Sequence, residues 1–139
     1  MRKYITEIEQ LYKGITGLFG SLDQLPDVKR KVLNTDLLLE LCYSDPEGRV
    51  IIDATGDKVK VYLGECPAGI EPQVELMMSS DTAHLFWLGK INLIMASATG
   101  KIKTAGNVGS VLKLVPVLDP LFKAYADFLR ENGMAELIV

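Results

Sequence analysis

Residues 74 to 115 constrain this chain more than any other stretch, because they are strongly apolar and carry little charge. Between the strand-like ends of the stretch, the charges are Asp81 and the lysines of Gly89-Lys90 and Gly100-Lys101. Such a segment must bury its side chains in a core, against a partner protein or around a ligand.

Four consecutive large apolar residues, Leu85 to Leu88, sharpen that choice. Successive residues of a helix point about 100° apart, so these four surround the helix that they predict. A sheet covers only one side of a helix, and the other side needs further cover. Residues 91–95 and 111–118 pose the same problem. A packed core, a dimer interface and a lipid cavity are all consistent with the pattern.

The first half of the chain predicts two helices and an antiparallel meander. An apolar stripe predicts a helix over residues 4–19, which is expected to dock on the domain, with membrane contact as the alternative. A short second helix is predicted at 27–33. Alternating apolar residues then predict three strands joined by tight turns, at 37–44, 50–54 and 58–63.

The second half predicts two more strands threaded between apolar helices. Ser79, Ser80 and Asp81 are typical of a helix N-terminus, and Gly89, Gly100 and Gly133 of helix C-termini. Asp119-Pro120 predicts the start of the last helix. The predicted elements are strands at 74–78 and 101–104 and helices at 81–88, 93–99, 108–115 and 119–132. The whole chain, 1–139, is expected to be one α+β domain with an N-terminal helical segment at 1–33 and an extra C-terminal helix at 119–132.

Composition excludes several classes of function. Apolar residues make up 48% of the 139 residues and charged residues 24%, as in ordinary globular domains. The net charge of −3 argues against nucleic acid as a partner. No apolar run reaches the ~20 residues of a spanning helix, so stable membrane insertion is not expected. The first residues lack the apolar run of a secretory signal, which favours a cytoplasmic protein.

Catalytic, metal-binding and cofactor-binding patterns are missing from the sequence. His84 is the single histidine, and no Ser or Cys nucleophile stands at a recognisable spacing from it. Cys42 and Cys66 are too few for a disulfide framework or a metal site. We therefore predict no catalytic residues, no metal and no cofactor.

The chain nevertheless resembles a known family over roughly residues 33 to 115. The resemblance rests on the strand-to-helix join at Met78 to Asp81, on Gly89-Lys90-Ile91-Asn92, and on Thr99-Gly100-Lys101-Ile102-Lys103. Gly106-Asn107-Val108-Gly109, followed by an apolar helix that contains Lys113, completes the set. In this order and spacing, the motifs are similar to those of the sterol carrier protein type 2 family.

That resemblance implies an α+β fold with a five-stranded, largely antiparallel sheet, covered on one face by helices, and an apolar tunnel between them. It implies non-catalytic binding and transfer of a sterol, fatty acid, fatty acyl-CoA or phospholipid. The residues that it implies as ligand contacts are Phe86, Trp87, Met95, Ile102, Val111, Leu112 and Val115. The extra helix at 119–132 is expected to close the tunnel or to build a homodimer. The alternative function is an accessory module whose apolar helices dock on a partner protein.

Overall fold

A five-stranded sheet with helices packed on one face forms the centre of the fold, as a computed structural model shows. The structure describes residues 3–139, without the side chain of Val108, so the first two residues of the predicted segment 1–33 lie outside the description. The strands are β1 (Leu38–Ser44), β2 (Gly48–Asp53), β3 (Lys60–Leu63), β4 (Val74–Ser79) and β5 (Lys103–Gly106). The α-helices are α1 (Ile8–Gly20), α2 (Pro26–Asn34), α3 (Ser80–Trp87), α4 (Leu93–Ala98) and α5 (Leu118–Glu131). The 3-10 helices are Ser21–Gln24, Val108–Val117 and Ala135–Leu137.

The strand order is β3-β2-β1-β4-β5, and the sheet is mixed. Tight turns make β1–β2 and β2–β3 antiparallel, which confirms the predicted meander. The loop after β3 then crosses back to the other side of β1, so β4 runs parallel to β1, with Leu41 opposite Leu76. β5 pairs antiparallel with β4 and is the edge strand on that side of the sheet. The predicted α+β fold with a largely antiparallel sheet is confirmed.

Alternation along the strands separates the covered face of the sheet from the open one. Leu39, Leu41 and Tyr43 belong to the core beneath the helices, together with apolar residues of β2 and β4. Glu40 and Cys42 occupy the opposite phase of β1. The helices pack on the first of these faces, which carries most of the apolar strand side chains. Ile51 is opposite Glu40 and lies on the other face, where it is also buried.

The first helix begins at Ile8, later than the predicted Tyr4. The Asp81 carboxylate accepts hydrogen bonds from the backbone N–H groups of Tyr4 (3.0 Å) and Ile5 (2.8 Å), and these residues lie outside the helix. Glu7 and Gln10 form a reciprocal capping box at the observed start. The apolar stripe of α1 docks on the domain, and its Leu11, Ile15 and Leu18 are fully buried.

Two element boundaries and one helix type in the second half differ from the prediction. β5 begins at Lys103, because Ile102 is buried and its backbone N–H donates to Ala96 O at the end of α4. Residues Val108–Val117 form a 3-10 helix instead of an α-helix. α5 begins at the buried Leu118, before the predicted Asp119 cap. Pro120 is tolerated there because the first N–H groups of a helix have no intrahelical partner.

Candidate functional site

An enclosed apolar cavity lies between the covered face of the sheet and the helices. Its volume of about 20 Å³ is close to that of a single water site. Pockets that bind drug-sized ligands measure roughly 300–1,000 Å³. The tunnel that the family resemblance implies is therefore not open in this structure. The lining is apolar apart from Thr35 and includes Leu39, Leu41, Ile52, Leu76, Phe19, Val32, Phe86, Trp87, Leu93, Val111, Leu114, Leu118 and Leu121.

An open groove lies on the outer side of the same helices. Its volume is about 390 Å³, which falls in the range of ligand sites. Lys90 and Asp119 supply charge to the groove, and Ile94 and Val115 supply apolar surface. Gly89, Ile91, Asn92 and Phe122 complete the lining beside the side chains described next.

Three side chains separate the cavity from the groove, because they line both. These are Phe86, Leu93 and Leu118, which we call the wall; each is buried. Phe86 packs edge-on against the rings of Trp87 and Phe122, with centroid distances of 5.1 and 5.6 Å. The wall is built from the end of α3 and the first residues of α4 and α5. Helix ends have fewer backbone hydrogen bonds than helix centres.

The residues just before α4 determine which of its side chains point into the protein. Gly89 has a φ of +80° and lets the chain turn after α3. Asn92 then caps α4 through a 3.0 Å hydrogen bond from Met95 N to its Oδ1 atom. This phase buries Leu93 and Ala96. Ile94 and Met95 consequently point outward.

The structure divides the seven predicted ligand contacts into four groups. Phe86, Trp87 and Val111 line the cavity. Val115 lines the groove. Ile102 is buried but lines neither space. Met95 and Leu112 are 62% and 57% exposed on the outer surface. Ligand contact by any of them stays a prediction. Leu93 and Leu118 of the wall were missed, because no sequence signal links three separate helix ends.

His84 is fully buried and ties three parts of the fold together. Its Nδ1 lies 2.7 Å from the Tyr125 hydroxyl, and its Nε2 lies 2.7 Å from the Leu137 carbonyl oxygen. A carbonyl only accepts, so Nε2 carries the proton, and Nδ1 of the neutral ring accepts from Tyr125. Burial lowers the pKa of His84 and favours this neutral form. Both ring nitrogens are occupied by structural partners, which leaves neither for general base catalysis.

Glu40, Cys42 and Glu75 converge on the open face of the sheet, with ligand atoms within 4.8 Å of one another. Sequence spacing does not reveal this group, because the parallel pairing of β1 and β4 creates it. Burial raises the pKa of Cys42 to about 11, and the protonated thiol lies 3.3 Å from Glu75 Oε1. Glu40 forms an ion pair with Arg49, which supplies the local positive charge.

Comparisons with known proteins agree with this architecture. Sterol carrier protein 2 of Yarrowia lipolytica, in its apo form, superposes with a TM-score of 0.63 at 17% identity, over 80% of this chain and 88% of that one. The sterol carrier protein domain 2 of Helicoverpa armigera gives 0.61 at 21% identity, over 79% and 85%. The sec-alkylsulfatase Pisa1 of a Pseudomonas species gives 0.53 at 16% identity, but the match covers only 14% of that enzyme. These likenesses show a shared fold.

Sequence comparison places the chain more specifically. No curated protein sequence matches it significantly. Within residues 3–139, no helix is both long enough and apolar enough to cross a bilayer. The family model of the SCP-2 sterol transfer family matches residues 21–119, and domains of this family are generally lipid-binding and non-catalytic. α1 and nearly all of α5 lie outside that match. The chain therefore belongs to the SCP-2 sterol transfer family.

Proposed function

We propose that this protein binds and transfers an apolar lipid without covalent chemistry. The candidate ligands are a sterol, a fatty acid, a fatty acyl-CoA or a phospholipid. The observation that carries the proposal is that an apolar cavity and an open groove share three apolar side chains in their linings. Family membership supports the same function.

Binding requires the wall to part, because the cavity is too small for a lipid as it stands. Outward movement of Phe86, Leu93 and Leu118 joins the cavity to the groove in one continuous apolar space. When the wall opens, its residues lose contacts with one another and gain contacts with the lipid. Because these contacts are of the same kind, lipid binding stays reversible. In this arrangement Trp87 and Val111 contact the inner part of the lipid, and Val115 contacts the part nearer solvent.

A non-catalytic role agrees with the chemistry of the described residues. His84 uses both ring nitrogens in structural hydrogen bonds. The raised pKa keeps the Cys42 thiol protonated at neutral pH, and a thiol is a weaker nucleophile than a thiolate. Neither group lines the cavity or the groove.

The direct test is native mass spectrometry of protein purified from cells, followed by extraction and identification of any bound lipid. We expect a co-purified lipid, or saturable one-to-one binding of a fluorescent fatty acid after delipidation. Protein that is empty as purified and that also binds neither fluorescent fatty acids nor fluorescent sterols would contradict the proposal.

A pair of tryptophan substitutions tests where the lipid lies. Val111→Trp places an indole in the cavity, and we expect fatty-acid affinity to fall about tenfold or more, with a stability cost of about 1–3 kcal/mol. Ser97→Trp adds the same group to the exposed side of α4 and serves as the control. Equal affinities for the two variants would place the ligand elsewhere.

The alternative function, docking of the apolar helices on a second copy or another protein, draws support from the exposed Ile94, Met95 and Leu112. Mass in solution separates the two functions. A stable dimer whose formation is lost in Met95→Ser and Leu112→Ser variants, with no lipid bound, favours the alternative.

A further inference from the structure

A buried carboxylate on the open face of the sheet is incompletely satisfied. Glu40 of β1 is only 8% exposed, and its Oε2 atom is buried and accepts no hydrogen bond from any residue that the structure describes. Arg49 forms an ion pair with this oxygen, but the contact lacks hydrogen-bond geometry. Ile51, which is opposite Glu40 on β2, is fully buried on the same face. Buried polar atoms are rarely left in this state, and an ion that the folded protein binds is one explanation.

The pairing of β1 with β4 brings two further ligand groups to this carboxylate. Glu75 is directly opposite Glu40 in the parallel register, and Cys42 is the next residue of β1 on the same face. One oxygen of each carboxylate and the Cys42 sulfur all lie within 4.8 Å of one another. Zinc bonds of about 2.0–2.3 Å hold ligand atoms less than about 4 Å apart, so small rotations of the two glutamate side chains close the set around one ion.

The three donor atoms favour one kind of ion. A thiolate sulfur with two carboxylate oxygens suits zinc, whereas magnesium and calcium prefer oxygen ligands alone. The charge also agrees with a divalent cation, because the thiolate and the two carboxylates together carry three negative charges. A zinc ion and the neighbouring Arg49 guanidinium balance them. This balance matters because an uncompensated charge is costly in buried surroundings.

We infer that Glu40, Cys42 and Glu75 form a binding site for zinc or a similar thiophilic divalent cation on the open face of the sheet. As the sulfur–metal bond forms, the S–H bond of Cys42 breaks and its proton passes to solvent. The bound ion links the central strands β1 and β4. The site lies on the opposite face of the sheet from the cavity, so the inference is independent of the proposed lipid binding. It also goes beyond the sequence-based prediction of no metal, which considered only spacing along the chain.

Calorimetric titration of chelator-treated protein with zinc tests the site. We expect one ion per chain, a Tm that rises with zinc concentration, and no displacement by excess magnesium or calcium. Glu75→Gln, at a half-buried position, is expected to weaken zinc binding at least about tenfold, since loss of an outer partner of a ligand already costs about 10- to 100-fold. The matched control is Glu71→Gln, which removes the same charge from an exposed loop residue and should bind zinc as the wild type does.

The two cysteines of the chain provide a second matched pair. Cys66→Ser leaves Cys42 as the single thiol, and Cys42→Ser leaves Cys66. Both cysteines are half-buried, but the Cys66 sulfur lies 3.3 Å from the Ile70 carbonyl oxygen in the loop after β3. With Cd²⁺ as the probe, we expect the ultraviolet thiolate-to-cadmium absorption in Cys66→Ser and not in Cys42→Ser. Zinc should likewise slow the reaction of a disulfide reagent with the single thiol of Cys66→Ser alone.

Each of three results would overturn the inference. The first is absence of zinc binding by the folded wild type. The second is equal zinc affinity in Glu75→Gln and Glu71→Gln. The third is equal cadmium absorption in the two cysteine variants, or zinc binding by Cys42→Ser as tight as that of the wild type. Urea unfolding followed by Trp87 fluorescence checks that each variant is folded, and the glutamate pair decides the matter if Cys42→Ser does not fold.

Discussion

The α1–α5 pair and the region formed by α4 with the 3-10 helix Val108–Val117 use similar apolar residues in opposite ways. Ile15, Tyr125 and Leu129 of the first are fully buried. Ile94, Met95 and Leu112 of the second are more than half exposed. The first lies almost wholly outside the family match, and the second lies inside it.

Packing partners explain the difference. α1 and α5 each have an apolar stripe on one side, and the two stripes face each other. Gly14 and Gly17 of α1 lie where a side chain would collide with Tyr125 and Phe128, so the helices approach closely. α4 is six residues long and the 3-10 helix is ten, and each turns only part of its apolar surface to the core. Long 3-10 helices are uncommon because their hydrogen bonds are less favourable. The α1–α5 pair therefore buries its apolar side chains against each other, whereas α4 and the 3-10 helix leave apolar side chains exposed.

The largest effect is expected from truncation in the helix pair. Leu129→Ala removes a fully buried side chain of α5. We expect the free energy of unfolding to fall by about 2–5 kcal/mol, because a cavity is left in tight packing. Urea unfolding followed by the fluorescence of Trp87, the only tryptophan, measures the change. A loss below about 0.5 kcal/mol, the usual range of surface substitutions, would contradict the assigned role of this pair.

Removal of the buried histidine is expected to have a smaller effect. His84→Leu leaves the Tyr125 hydroxyl and the Leu137 carbonyl without their partner. We expect a loss of about 1–3 kcal/mol, since unpaired buried polar groups are costly. The same denaturation measurement applies, with faster proteolysis of the C-terminal residues as a second readout. Unchanged proteolysis would show that His84 does not hold the C-terminal segment.

The same histidine predicts a pH dependence of stability. Burial holds the pKa of folded His84 below its ordinary 6.5, so the unfolded chain takes up a proton first as pH falls. The stabilisation is complete above pH 6.5 and is lost as pH falls toward the folded pKa, at up to about 1.4 kcal/mol per pH unit. His84→Leu has no histidine left and should lack this slope. Parallel stability curves for both proteins between about pH 5 and 7 would rule out the linkage.

The smallest effect is expected on the exposed side of the comparison. Leu112→Ala removes the same atoms as Leu129→Ala from a residue that is 57% exposed. We expect a change within about 0.5 kcal/mol, because surface truncations leave no cavity. If Leu112→Ala costs as much as Leu129→Ala, then this side chain is buried in solution, by a ligand or by a second copy.

Prediction from sequence succeeded where local chemistry decides structure. Gly89 and Gly100 end their helices with positive φ, as expected of glycine at a helix C-terminus. The tight turns of the meander and the motif order also led to the correct fold and family. Boundaries failed where tertiary contacts compete, as at Ile102, whose burial delays β5, and at Asp81, which holds Tyr4 and Ile5 outside α1.

The candidate site was only partly predictable. Phe86, Trp87 and Val111 face the cavity, whereas Met95 and Leu112 lie on the outside, although all five are apolar residues of apolar helices. Helical phase decides between the two sides, and the Asn92 cap and the 3-10 geometry set that phase. The wall is formed by three helix ends that are distant in sequence.

The α+β class, the five strands, the family and the excess of apolar surface between residues 74 and 115 could all be predicted without coordinates. These follow from periodicity, turn residues and motif order, which act over a few neighbouring positions. Which part of that surface forms the core, which part lines a cavity and which part faces solvent became clear from the packing of the whole chain. Whether a helical side chain is buried depends on which other parts of the chain pack on that side of the helix. The spacing of residues within one segment does not specify those packing partners.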